Sequence, residues 1–84
     1  MKYKATVQIM PRKEILDPQG KATLHGLQNL GFDQVDGVRI GKRIELELNA
    51  DDTAAANAFV EEACRKLLTN MVIEEYVYEV EAVE

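Results

Sequence analysis

Gly37-Val38-Arg39-Ile40-Gly41-Lys42-Arg43-Ile44-Glu45-Leu46-Glu47-Leu48, written GVRIGKRIELEL, has two incompatible readings. Two glycines and a lysine in a short span approach a phosphate-binding loop. The same residues also fit two short strands joined by a turn. A Walker A loop has four residues between its glycines and a Ser or Thr after the lysine. Here three residues separate Gly37 from Gly41, and Arg43 follows Lys42. The residues after Lys42 alternate in the strand manner, so no helix N-terminus is supplied to hold phosphate. Glycine at the first position of a two-residue loop suits a type II′ turn. The stretch therefore predicts a hairpin of strands 35–40 and 43–49, with Arg39, Lys42 and Arg43 at a positively charged tip.

The flanking sequence follows the same logic. Over 3–9, Tyr3, Ala5, Val7 and Ile9 alternate with Lys4, Thr6 and Gln8, the pattern of a half-buried strand that Pro11 ends. Asp17-Pro18 is an N-cap followed by proline at the first helical position, and Gly31 supplies a C′ stop, which predicts a helix over 18–30. Thr23, Leu27 and Leu30 share its apolar face, flanked by Leu24 and Gly26. Asp51-Asp52 opens a second helix to about 68, with Phe59, Val60, Ala63, Cys64, Leu67 and Leu68 as its stripe and Asn70 as a left-handed stop. Residues 72–82 read as a last strand, with Tyr76, Tyr78, Val80 and Ala82 inward and Glu79 and Glu81 outward. The order β-α-β-β-α-β predicts an α+β, two-layer, ferredoxin-like fold: an antiparallel sheet of split βαβ units with both helices on one face.

The chain of 84 residues and 9.5 kDa reads as one domain, 1–84. Area scaling leaves about 63 % of the unfolded surface buried, a thin core that association would reinforce. There is no membrane-length apolar run and no signal-peptide pattern after Met1. The single Cys64 excludes an internal disulfide framework, and a cytoplasmic setting is expected. Residues 1–43 carry eight basic and four acidic side chains, a net of +4; residues 44–84 carry two and eleven, a net of −9. Neighbouring first and last strands, with Lys2 and Lys4 near Glu79 and Glu81, account for this asymmetry better than a nucleic-acid surface does.

No residue cluster forms a convincing active site. His25 falls on the polar side of the first helix and Cys64 in the apolar stripe of the second, so a Cys–His dyad is disfavoured. Glu61, Glu62, Glu74, Glu75, Glu79 and Glu81 read as solvated faces, and no spacing singles out a metal site. The last strand, with Tyr76, Val77, Tyr78 and Val80, reads as a sheet edge able to pair with another chain. The expected partner interface is therefore Arg39, Lys42 and Arg43 together with that strand, with no catalytic, cofactor-binding or metal residue assigned. A binding or assembly role is favoured over catalysis.

Three segments carry a family resemblance: Leu16-Asp17-Pro18-Gln19-Gly20-Lys21-Ala22; Val38-Arg39-Ile40-Gly41-Lys42 with Ile44-Glu45-Leu46; and Cys64-Arg65-Lys66-Leu67-Leu68-Thr69-Asn70 with Val72-Ile73-Glu74. Together, and in this order, they resemble PurS, the small subunit of phosphoribosylformylglycinamidine synthase, from Tyr3 to about Glu81. Met71 departs from the proline that relatives often carry there. The resemblance implies a non-catalytic subunit of an ATP-dependent glutamine amidotransferase ligase in purine biosynthesis. It implies a homodimer, or a tetramer, that bridges a PurQ-like glutaminase and a PurL-like synthetase and supports ammonia transfer. ATP and Mg²⁺ would belong to the synthetase, and this chain would bind neither. The competing reading is a stand-alone ferredoxin-like domain that binds a metabolite. Such domains are usually fused to an enzyme or a DNA-binding unit, and no such appendage is seen here. A small enzyme using His25 or Cys64 is a third and weaker reading.

Overall fold

The computed structural model describes residues 1–83. Three strands, β1 (Lys2–Pro11), β2 (Lys42–Asn49) and β3 (Glu74–Ala82), form an antiparallel sheet in the order β2-β1-β3. Two α-helices, α1 (Pro18–Asn29) and α2 (Thr53–Ala63), complete the α+β split-βαβ architecture, and α2 continues as a π-helical turn, Cys64–Leu68.

The alternation in β1 does what its sequence implies. Tyr3, Ala5, Val7 and Ile9 are sealed from solvent at the centre of the sheet. They pair with Leu48, Leu46, Ile44 and Lys42 on β2, and with Ala82, Val80, Tyr78 and Tyr76 on β3. Because strand side chains alternate with period two, one register places these apolar residues on one face and leaves Val77 on the other. On the other face Lys4 lies between Glu47 and Glu81, so the charge asymmetry of the sequence is resolved across neighbouring strands.

α2 covers the apolar face through Ala56, Val60 and Cys64, all fully buried, with Leu68 partly buried behind them. Asp52 starts the helix by accepting a hydrogen bond from the Ala55 amide at 2.8 Å. At roughly 3.6 residues per turn, a four-residue repeat drifts around the helix. The wider turn closed by the Thr69 amide on the Cys64 carbonyl, at 2.9 Å, offsets that drift and keeps Leu68 inward. Leu67 and Phe59, expected in the same stripe, are instead exposed. Asn70 is not left-handed, since no described residue other than glycine has positive φ. It acts through its side chain, which accepts from the Val72 amide at 3.2 Å.

The largest departure from the sequence reading concerns residues 35–40. They form no ladder with β2, and the expected hairpin at Gly41-Lys42 is absent. A type II′ turn requires positive φ at its first loop residue, and Gly31 is the one described glycine with positive φ. The segment is held elsewhere. The Ile40 amide donates to Asp17 at 2.9 Å, and the Arg39 guanidinium donates to the Pro11 carbonyl. These contacts with β1 and with the start of α1 take the place of pairing with β2.

α1 also departs from expectation. It begins and ends as its sequence dictates. Asp17 caps the Gly20 amide at 3.1 Å, and the Gly31 and Phe32 amides close on Gln28 and Leu27 in a Schellman motif. Yet of its twelve residues Gly20 alone is buried, and it makes no substantial contact with any strand. Helix and segment 32–40 together project as an arm. The chain measures 51 × 28 × 14 Å, with a radius of gyration of 16.6 Å, where a compact domain of this length has about 12 Å.

Candidate functional site

The three segments that carry the family pattern are far apart in sequence but meet around one end of the sheet. Asp17 joins the first two. One of its carboxylate oxygens caps α1 and the other accepts from Ile40. These backbone donors, Ile40 foremost and then Gly20, hold its carboxyl below the ordinary aspartate value. Gly20 makes the junction sterically possible, because a Cβ there would lie 2.2 Å from the Val38 carbonyl oxygen. Gly41 has the same role against β1, where a Cβ would lie 2.1 Å from the Ile9 carbonyl oxygen.

The third segment closes on the same end. The Asn70 amide donates to the Glu74 carboxylate at 2.8 Å, and the Glu74 amide to the Asn70 carbonyl at 2.7 Å. Arg12, just beyond β1, donates its amide to the Ile73 carbonyl at 2.8 Å and its guanidinium to the Met71 carbonyl at 2.9 Å. Lys42 stands 4.0 Å from Glu74, and Arg39 stands 3.8 Å from Glu75. The second and third segments therefore meet through opposite charges, and β1 runs between them.

The residues expected at the partner interface divide accordingly. Arg39, Lys42 and Arg43 have well-exposed side chains but occupy no hairpin tip. Each faces a carboxylate of its own chain, Glu75, Glu74 and Glu45 respectively. Within β3, Tyr76, Tyr78 and Val80 turn toward α2 and are half-buried, whereas Val77 points outward and is exposed. The Tyr76 hydroxyl donates to Glu61 at 2.5 Å, which with burial pushes its pKa up to about 12. Burial, and then Glu61, also raises Tyr78.

The possible nucleophiles are not brought together. His25 is exposed on α1, while Cys64 is sealed beneath α2, where desolvation and then Glu61 raise its thiol pKa. Glu62 pairs with Lys66 at 2.9 Å and is lowered by that hydrogen bond. Among the described residues, no group of three His, Cys, Asp or Glu side chains is placed to hold a metal ion. The depressions in the surface are open, one beside β1 and β2 lined by Lys2, Lys4 and Glu47, another along α2 lined by Glu61, Glu62 and Arg65. Sequence reasoning missed Asp17 as a tie between segments. Its N-cap role was visible, but a carboxylate has a second oxygen, and the partner of that oxygen lies 23 residues away.

Fold and site together define an open α+β domain whose motif residues tie distant segments of its own backbone to one another. Comparison with known proteins gives its family. Residues 4–82 match the family model described as PurS: Phosphoribosylformylglycinamidine (FGAM) synthase. The PurS subunit of Synechocystis sp. is 46 % identical over 82 residues, covering 98 % of this chain and 82 % of that protein. The Bacillus subtilis PurS structure superposes with a TM-score of 0.84 at 42 % identity, covering 95 % of this chain and 99 % of that one. A chain in the structure of PurLQS from Thermotoga maritima superposes with a TM-score of 0.88 at 31 % identity, covering 96 % and 99 %. The chain belongs to the PurS family of FGAM synthase subunits.

Proposed function

We propose that this chain is the small, non-catalytic subunit of an FGAM synthase complex in purine biosynthesis, where it bridges a PurQ-like glutaminase and a PurL-like synthetase. The observation that carries this reading is its near-complete superposition on a chain of the PurLQS structure. The chemistry explains the need for such a subunit. Ammonia released at one active site must reach another without protonation or loss to water. A subunit that fixes the two sites relative to each other and excludes solvent lowers the entropic cost of that transfer. ATP and Mg²⁺ belong, in this reading, to the synthetase, and the chain itself binds neither. It self-associates, and it works in the cytoplasm with its partners. No described helix is long and apolar enough to cross a membrane. Val77 and the half-exposed Arg39, Lys42 and Arg43 are the first residues to test as partner contacts.

The test is amidine formation by the purified synthetase and glutaminase, with glutamine or ammonium as nitrogen source, with and without this chain. A bridging subunit is required with glutamine and dispensable with ammonium. Unchanged rates under both conditions overturn the proposal.

A further inference from the structure

The end of α2 is held in a register that leaves two faults. Leu67 is 83 % exposed, although its spacing places it in the apolar stripe of the helix. Thr69 is only 5 % exposed, and its hydroxyl is the one buried side-chain polar atom among the described residues without a hydrogen-bond partner. Both arise at the π-helical turn Cys64–Leu68, where the Thr69 amide reaches back to the Cys64 carbonyl. An exposed leucine and a buried unpaired hydroxyl both oppose folding, so contacts outside the turn must hold it.

An uninterrupted α-helix removes both faults. Ala56, Val60 and Cys64 define the buried side of α2. At about 100° per residue, Leu67 would lie about 20° from the direction of Val60, Leu68 about 80° and Thr69 about 180°. Leu67 then faces the sheet, and the Thr69 hydroxyl reaches water. The Thr69 amide would bond to the Arg65 carbonyl in place of Cys64. Asn70 would stand where a left-handed residue ends a helix. The stripe through Leu67 and the stop at Asn70 are thus both features of the α register, and the structure shows neither.

The π register is latched from beyond the helix. The Glu74 carboxylate accepts from the Asn70 amide at 2.8 Å, and the Glu74 amide donates to the Asn70 carbonyl at 2.7 Å. The Arg12 guanidinium donates to the Met71 carbonyl at 2.9 Å. Thr69 is extended, with φ −120° and ψ 133°, and leads straight into these contacts. Continuing the α-helix through Thr69 requires Asn70 to leave Glu74. Glu74 also stands 4.0 Å from Lys42, so the latch is tied to the start of β2.

We propose that the last turn of α2 is a two-position switch: latched by Glu74 it is π-helical and presents Leu67, and released it is α-helical, with Leu67 against the sheet and Thr69 in solvent. A cationic group that draws Glu74 away from Asn70 shifts the chain to the α register, and a contact that covers Leu67 holds the π register. The switch is internal to the chain and does not depend on the bridging role.

The experiment is nuclear magnetic resonance of the full, isotopically labelled chain, reading the scalar coupling across the hydrogen bond of the Thr69 amide. In the wild type that coupling is expected to Cys64, and a soluble paramagnetic probe should broaden the Leu67 methyls. Glu74→Ala removes the latch. Thr69→Lys places at the buried position a charge that the α register alone carries into water. In both variants the coupling is expected to move to Arg65 and the Leu67 methyls to become protected. Thr69→Val suits the buried position and should keep the Cys64 coupling. Coupling to Cys64 in both Glu74→Ala and Thr69→Lys overturns the switch. A Thr69→Lys chain that unfolds overturns it equally, because an accessible α register would accommodate the lysine. A wild-type Thr69 amide already bonded to Arg65 overturns the latch.

Discussion

Replacing Gly20 by alanine tests the junction of the first two motif segments. Both the sign and the size of the effect follow from the structure. The added methyl would lie 2.2 Å from the Val38 carbonyl oxygen and 2.7 Å from an Asp17 carboxylate oxygen, where ordinary contact begins at 3.4 Å. The nearest atom is backbone, so no side-chain rotation relieves the clash. α1 and segment 38–40 must separate by about 1 Å, a distortion of the kind that costs roughly 1–3 kcal/mol. Alanine recovers up to about 1 kcal/mol of helix propensity, less in the first turn. The net cost is about 1–2 kcal/mol. With a urea m-value near 1 kcal/mol/M, the midpoint falls by about 1–2 M. Gly26→Ala is the internal control. It lies in the same helix, a Cβ there meets nothing within 4 Å, and it should stabilise by about 0.5–1 kcal/mol. Urea unfolding of the three chains at one fixed concentration decides the matter. If Gly20→Ala shifts the midpoint upward as Gly26→Ala does, the close approach to Val38 is not a constraint and the junction argument fails.

Other perturbations probe separate parts of the molecule. Asp17 has a lowered pKa in the fold, so its contribution to stability is complete above the ordinary aspartate value of 3.8 and is lost as pH falls through the lowered value. Asp17→Asn should flatten acid unfolding over that window, as followed by circular dichroism. Tyr76 ionises near pH 12 in the fold against 10 when unfolded, so its contribution is intact below pH 10 and lost as pH rises toward 12. Ultraviolet titration of Glu61→Gln should show two tyrosines, Tyr76 and Tyr78, ionising at lower pH than in the wild type. The Thr69 hydroxyl is buried without a hydrogen-bond partner, so Thr69→Val removes an unsatisfied group at nearly constant shape and should be neutral or stabilising by up to about 1 kcal/mol. A midpoint loss larger than that would mean the hydroxyl has a partner in the assembled protein.

Much of this architecture can be read locally, and that is why it was legible in the sequence. The alternation from Tyr3 to Ile9 needs only the two-residue period of a strand, and the sheet buries those side chains. Asp17, Gly31 and Asp52 act on backbone groups within a few residues, so their capping roles are visible in a short window. The ordered motifs at 16–22, 38–46 and 64–74 were enough to indicate the family.

What the sequence left open depends on partners distant along the chain. The pattern of 35–40 suits a strand beside β2, but pattern does not say which edge a strand will join. Asp17 and the Pro11 carbonyl hold that segment at the end of β1. The burial of Phe59 and Leu67 looked assured from helical spacing, yet the π-helical turn after Ala63 and the position of the sheet decide which residues of the stripe face inward. Arg39 and Lys42 looked like free charge at a tip, and only tertiary structure places Glu75 and Glu74 beside them. Sequence alone determined the three paired strands, the two helices, the caps at Asp17, Gly31 and Asp52, and the family, because these are set by neighbouring residues. Tertiary structure decided where the arm goes and which charges are paired, because those outcomes turn on competition between contacts that no short window contains.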